Sequence, residues 1–249
     1  MTTPTADPAM GTAPYKVGDR VRTTAPAPST PGFPADYAVP VGTPGTIANI
    51  GAYGGYGVLL DNDPHQLPAH YDADELVPAG TMFVLGLDLS LTSTGVASSL
   101  GWAERIRPRQ LRGLERLRYI RERITGYARP YSLAVLEGPA YGRATQAGHD
   151  EMAALRWMVR DDLDRLGVPV AIIPPSTLKL WATGRGNADK VSMTKAMSAR
   201  FPDVEITSSD EADALALADM GNAWATAAPL TPAQGRAVQG ATWPEVITQ

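Results

Sequence analysis

Hydrophobic and polar positions change rhythm once along the chain. From residue 15 to 80, short apolar stretches alternate with Gly, Pro and Asp turns: YKVGDRVRTT, GTPGTIANIG, YGVLLDND and YDADELVPA. Brief alternating runs between turn residues predict short strands and a small all-β domain. From residue 82 the pattern becomes alternating strands and helices. FVLGLDLS predicts a strand, and GVASSLG and WAERIR its antiparallel partners; Leu111, Leu114, Leu117, Ile120 and Ile124 then recur at helical spacing. LAVLEG and PVAIIPP predict two more strands, and HDEMAALRWMVRDDLDRLG, KVSMTKAMSARF and SSDEADALALADMG predict helices. The fold class that follows is α/β, a mixed sheet with flanking helices, preceded by the all-β domain.

The expected boundaries are a disordered Thr-, Pro- and Ala-rich arm at 1–14, a β domain at 15–80, an α/β domain at 82–228 and a tail at 229–249 that extends the last helix and then frays or docks through Trp243. The order VGDRV, GTI, GVLLD, ELVPA resembles the SH3-like barrels attached to many nucleic-acid- and peptide-binding proteins. Its charges weigh against a grip on phosphate: Lys16, Arg20 and Arg22 face Asp19, Asp36, Asp61, Asp63, Asp72, Asp74 and Glu75. A protein-contact or structural role is the expectation there, with a DNA contact left open.

Composition narrows the chemistry. Net charge is -4, which excludes a globally basic binder but leaves room for a local basic face. With no cysteine, disulfides and thiolate metal sites are excluded, and an intracellular, cytoplasmic protein is expected. No signal-like start and no run near the roughly 20 apolar residues of a membrane span is visible, so no membrane partner is expected.

The carboxylates carry the chemical argument. Asp88 stands in an apolar strand, where an ionised carboxylate costs several kcal/mol unless something compensates it. Glu137 ends the second apolar strand, immediately before Gly138-Pro139; taken alone, a solvated strand end explains it equally well. Ser208 and Glu211 have capping-box spacing, which puts Asp210 in the first helical turn and Asp213 one turn later on the same face; Glu211 and Asp213, two apart, do not share a face. The helix dipole suffices to explain Asp210, but not Asp213 at the mouth of the apolar run Ala-Leu-Ala-Leu-Ala. Four acids without His or Cys neighbours form an oxygen-only set suited to Mg²⁺ or Mn²⁺. Two such ions about 4 Å apart activate water and stabilise the leaving oxygen in phosphodiester cleavage.

LGLDLSLTSTG, LAVLEG, GRGNADK and DEADALALA occur in an order and approximate spacing that resembles the RuvC family of Holliday junction resolvases, over about residues 82 to 222. The resemblance implies an RNase H-like fold, with Asp88, Glu137, Asp210 and Asp213 as metal-binding catalytic acids and two Mg²⁺ or Mn²⁺ ions per site. It implies an endodeoxyribonuclease that nicks two strands of a four-way junction symmetrically, acting as a homodimer whose twofold matches the substrate's. In the GRGNADK loop, Lys190 matches the family lysine close to the scissile phosphate, with Arg185 beside it and Lys179 in PPSTLKLW as further DNA-contact candidates. Where the family often carries a wedging aromatic three residues after the strand-end Glu, this chain has Ala140; Tyr141 and Arg143 are the substitutes expected to stack on a base and hold a phosphate. The added N-terminal domain lies outside the family core and points to a phage-type or otherwise divergent member.

The stretch Arg105 to Arg129 holds nine arginines, and Arg112 and Arg116 on it are expected to track phosphates; a solvated helix face is the competing account. Two other functions stay open. Asp-Leu-Ser-Leu-Thr-Ser-Thr-Gly also resembles the phosphate loop of actin-like and sugar-kinase ATPases, though about 140 residues leave little room for their second half. A noncatalytic DNA-binding protein of the same fold would have lost the acids.

Overall fold

The computed structural model describes residues 14–25, 41–52, 54–61, 63–128, 131–139 and 148–245. Of the expected arm at 1–14 only Pro14 falls among them, and Asp36, Arg129, Ala140, Tyr141 and Arg143 lie outside the described residues. The chain divides into two compact units, Met1–Thr81 and Met82–Gln249.

The first unit is a five-stranded antiparallel sheet: β1 (Arg20–Thr23), β2 (Pro44–Ile50), β3 (Tyr56–Leu60), β4 (Ala69–Tyr71) and β5 (Leu76–Pro78), in the order β4-β3-β2-β1-β5. YDADELVPA, expected as one strand, is two, because a 3-10 turn at Ala73–Glu75 lifts the chain from the β3 side of the sheet to the β1 side. Val21, Ile47, Tyr56, Val58, Leu60, Ala69, Tyr71 and Leu76 form its core. Arg20 pairs with Asp61 at 2.5 and 2.7 Å, and Arg22 donates to the carbonyls of Gly42 and Thr81.

The second unit is built on the strands β6 (Val84–Asp88), β7 (Thr94–Ser98), β8 (Trp102–Ile106), β9 (Leu133–Glu137) and β10 (Val170–Ile173), in the order β10-β9-β6-β7-β8. β6, β7 and β8 form an antiparallel meander, and β9 and β10 run parallel to β6. The helices are α1 (Gly113–Ala128), α2 (His149–Arg165), α3 (Pro175–Thr183), α4 (Lys190–Arg200), α5 (Ser209–Ala225) and α6 (Pro232–Gln239). FVLGLDLS was expected as a strand through its full length, but pairing stops at Asp88, so the acid sits at a strand end rather than within the run.

Strand alternation sorts the sheet's faces. Val84, Gly86, Gly95, Ala97, Leu133, Val135, Ala171 and Ile173 share the face that receives α5, together with buried residues of α3 and α4. Two glycines set how close α5 comes. A β-carbon at Gly86 would stand 2.0 Å from the Ala214 carbonyl oxygen, and one at Gly95 2.0 Å from that of Asp210. The helix backbone therefore lies directly on β6 and β7, and the alanines at 212, 214, 216 and 218 are fully buried. On the opposite face Leu85, Leu87, Val96, Ala134 and Leu136 are buried as well, and α1 and α2 pack on one another. Of the α1 stripe, Leu117, Ile120 and Ile124 are buried, whereas Leu114, expected among them, is 58% exposed in the first turn of the helix.

The segment expected as a tail does not simply prolong α5. Thr226 closes α5, and α6 follows, capped by Thr231 through a reciprocal box with Gln234 and packed on α3. Trp243 stacks on Trp224 at 4.6 Å, and Thr242 bridges to Ile172 of β10.

Candidate active site

β6 and β9 are parallel with Leu87 beside Leu136, so the next residues, Asp88 and Glu137, fall side by side where the two strands end. Ligands gather at the carboxyl ends of such strands, where the sheet opens to a crevice. Gly95 lies opposite Asp88 on β7 and directly beneath the first turn of α5, which delivers Asp210 and Asp213 over the same strand ends. All four acids are partly exposed, so the cluster opens to solvent.

Their electrostatics are mutual. Burial, then the negative charges of Glu137, Asp213 and Asp210, push the Asp88 carboxyl well above its ordinary range, with Lys190 opposing. Glu137 is pushed up to about 7 by burial and by Asp213, against Arg156, Lys179 and Lys190. Asp213 is pushed up to about 6, chiefly by burial, with Lys190 and Lys179 opposing and Asp210 adding to the rise. Burial is thus the largest cause of all three rises, and Lys190, Lys179 and Arg156 offset part of it.

Whether this set suits a metal ion has two sides. The donor chemistry fits a hard divalent cation: carboxylate oxygens only, crowded enough that added positive charge relieves their repulsion. The side chains are not gathered into a finished chelate: among the described residues, no three His, Cys, Asp or Glu side chains are grouped so that they could hold an ion. The backbone brings the four acids to one place, and carboxylate rotamers would have to turn inward to share a cation.

Glu211 is directed elsewhere. Ser208 caps α5 by accepting the Glu211 N–H at 3.3 Å, but the reciprocal half of the expected capping box is not made. The Glu211 carboxylate instead accepts from the Thr207 N–H at 2.6 Å and from Arg105 Nε at 3.0 Å. Burial raises its pKa, but the Thr207 hydrogen bonds and Arg105 outweigh that and hold it below the usual range. This separates the structural acid of DEAD from its two neighbours that face the cluster.

The expected basic residues divide. Lys190 is the first residue of α4, whose N-cap Asp189 accepts the Ser192 N–H at 2.8 Å; Lys179 lies on α3, and both lower the pKa values of Glu137 and Asp213. Arg185 is exposed in the α3–α4 loop and is not among the main charges acting on the acids with raised pKa values. Arg116, expected to track phosphates, is instead ion-paired with Glu151 of α2, its side chain only 13% exposed. Arg112 donates to the carbonyls of Arg109 and Leu111 at 3.2 and 2.8 Å, so it braces its own loop.

Arg156 went unrecognised in the sequence. It sits on α2, half-buried, and its charge acts on Glu137 and Asp88; its Nε is buried without a hydrogen-bond partner among the described residues. A signal was present. Met152, Leu155, Val159 and Leu163 mark the apolar stripe of α2, and Arg156, four residues after Met152 and three before Val159, falls on that stripe where an apolar residue belongs.

The turn after Asp88 bears on the phosphate-loop alternative. The N–H groups of Ser90, Thr92 and Ser93 donate to hydroxyls of Thr94 and Ser90 within the turn, at 3.1 to 3.4 Å, so the amides that would cradle a phosphate are already engaged.

No protein-family model matches the sequence, and no curated protein matches it. Among solved structures, the Thermus thermophilus RuvC structure is similar at 20% identity with a TM-score of 0.50, covering 59% of this chain and 98% of that one. T. thermophilus RuvC in complex with Holliday junction substrate is similar at 21% identity with a TM-score of 0.49, covering 59% and 97%. At such identity the first likeness concerns architecture: the chain contains a RuvC-like fold that takes in nearly the whole length of that neighbour.

Proposed function

We propose that this chain is a divalent-metal-dependent endonuclease that cleaves phosphodiester bonds of branched DNA, resolving four-way junctions by paired nicks as a homodimer. The observation that carries it is the register of β6 and β9, which sets Asp88 beside Glu137 under the N-terminus of α5, where Asp210 and Asp213 face them. The fold shared with a RuvC structure and the order of the four motifs support the choice of substrate. Mg²⁺ or Mn²⁺ would be held by Asp88, Glu137, Asp210 and Asp213 and would supply Lewis acidity and an activated water, two ions serving the attacking and leaving oxygens.

The chain's own part is charge and position. Asp88 and Glu137 are fixed by strand pairing, and Asp213 by the backbone contact of α5 on Gly86 and Gly95. Lys190 and Lys179, on the two helices flanking the GRGNADK loop, supply positive charge beside the acids where a scissile phosphate would need it. Arg156 does the same from the α2 side. Arg185, exposed in that loop, and Tyr141 with Arg143 belong to the proposed DNA-contact set, the latter two as the junction wedge.

We assign the N-terminal sheet to an SH3-like module that contacts protein rather than DNA. Arg20 and Arg22, two of its cations, are committed to Asp61 and to backbone carbonyls. The phage-type origin suggested by this added module is part of the same proposal.

The test incubates the full chain with labelled four-way junction, replication fork and linear duplex, with and without Mg²⁺. Symmetric nicks confined to the junction and dependent on Mg²⁺ are expected; equal cutting of linear duplex, or no cutting of any DNA by folded protein, overturns the proposal.

A further inference from the structure

The arginine-rich stretch is sorted by its partners. Arg105 is held by Glu211 and Thr207, Arg116 by Glu151, and Arg121 by Asp162 through two bonds of 2.6 Å. Those guanidiniums tie α1 to α2 and β8 to α5. Arg107 and Arg109 differ: both are exposed, and neither is ion-paired with an acid among the described residues. With Arg105, Pro108, Gln110, Leu111 and Tyr119 they line a groove of about 740 Å³.

The groove is set by its backbone and lies at the end of the sheet where the acids gather. Arg109 has φ +51, a left-handed conformation uncommon outside glycine, and Arg112 clamps the carbonyls of Arg109 and Leu111 on the turn that contains it. Across the sheet Asp88 pairs with Gly95 and Gly95 with Arg105, so two strand spacings, about 10 Å, separate Asp88 from the strand that leads into the groove. Arg107 to Leu111 then leave β8 at the sheet end where β6 terminates. A DNA strand carries one phosphate per about 3.4 Å of helix axis, so a strand running from the acids across the sheet toward β8 would reach the groove about three nucleotides away.

We infer that this groove binds the sugar-phosphate backbone of the DNA strand flanking the cleavage site, with Arg107 and Arg109 as its phosphate contacts and the exposed edge of Tyr119 against a sugar or base. The inference rests on the reading of the acids as a nuclease centre for its orientation, but binding can be measured without cleavage. Arg112 is then the brace of the contact loop rather than a contact.

The test is fluorescence anisotropy of a labelled four-way junction with the full chain in EDTA, repeated over a NaCl series. Compared are wild type, Arg107→Ala/Arg109→Asn, Arg107→Glu, and Arg118→Ala/Arg123→Ala on the exposed side of α1. Asparagine is used at 109 because it tolerates the left-handed backbone. Wild type should bind with strong salt dependence; the first two variants should bind at least about 10-fold more weakly, and the log–log salt slope of the double variant should flatten by about 2, while the α1 pair stays within about twofold. Wild-type affinity in both groove variants, equal losses in the α1 pair, or no DNA binding by wild type would each overturn the inference. A chain that binds through the groove but never cleaves overturns the nuclease proposal alone; one that cleaves normally while the groove variants bind normally overturns the groove alone.

Discussion

Gly95 lies directly under the backbone carbonyl of Asp210, so close that a β-carbon there would stand 2.0 Å from the oxygen. The same absence of side chain at Gly86 admits the Ala214 carbonyl. Gly95→Ala should therefore lift the first turn of α5, cost about 3 kcal/mol or more of stability, and reduce cleavage beyond what the stability loss explains. Gly86→Ala should be at least as destabilising, because Ala218 N also lies within 2.6 Å of the added carbon. Urea denaturation with cleavage assays on the folded fraction checks both.

The acids should make the metal-free protein less stable as pH rises. Glu137 ionises at about 7 against an ordinary 4.5, and Asp213 at about 6 against 3.8, so the native state binds more protons than the unfolded one between those values. Stability in EDTA should thus fall from pH 3.8 to about 7 as these two groups ionise, and a divalent cation should restore it. Asp213→Asn should abolish cleavage yet gain about 2 kcal/mol at pH 8 in EDTA, and show a shallower pH profile. Urea titrations at pH 5 and pH 8 would contradict this if wild type and variant changed in parallel.

Glu211 should behave oppositely to its neighbour Asp210. Its carboxylate is held below the usual range by Thr207 and Arg105, so its contribution is present at neutral pH and lost as pH falls through its native pKa. Glu211→Ala should cost about 3 kcal/mol by stranding Arg105 and the Thr207 N–H, while the folded fraction keeps its cleavage rate. Asp210→Asn should do the reverse, leaving thermal stability intact and removing cleavage.

Arg156 faces Glu137 and Asp88 from α2. Arg156→Met should raise the Glu137 pKa above about 7, read by carboxyl-carbon NMR in EDTA. Without the cation, Mn²⁺ should bind more tightly by calorimetry, while junction cleavage should fall about 10- to 100-fold because less positive charge meets the phosphate. Arg156→Lys should recover part of the rate. Weaker Mn²⁺ binding in Arg156→Met would contradict this account of the residue.

Much of the second unit was legible because its local signals agree. LAVLEG is a continuous apolar run that stops at a Gly-Pro pair, and DEADALALA places two acids one turn apart before an apolar run; the structure has a strand ending at Glu137 and a helix opening at Ser209. What was not legible depends on contacts between segments distant in sequence. Periodicity could not tell that Arg116 would meet Glu151 while Arg107 and Arg109 would not meet an acid among the described residues, since the choice is made by the packing of α1 on α2. The helix α3 went unseen because Pro174-Pro175 reads as a break, although a proline at N1 starts a helix as readily as it ends one. Similarly, α6 was masked by its Ala, Pro and Gly composition and owes its stop at Gly240 and its start at Thr231 to caps and to packing on α3.

The central claim, that Asp88, Glu137, Asp210 and Asp213 act together on a phosphodiester, is tested most directly by single-turnover cleavage of a labelled four-way junction in Mg²⁺. Wild type should nick it in paired fashion, and Asp88→Asn and Asp213→Asn should each lose at least about 1,000-fold in rate while binding the junction as wild type does. Undiminished cleavage by both variants would contradict the account.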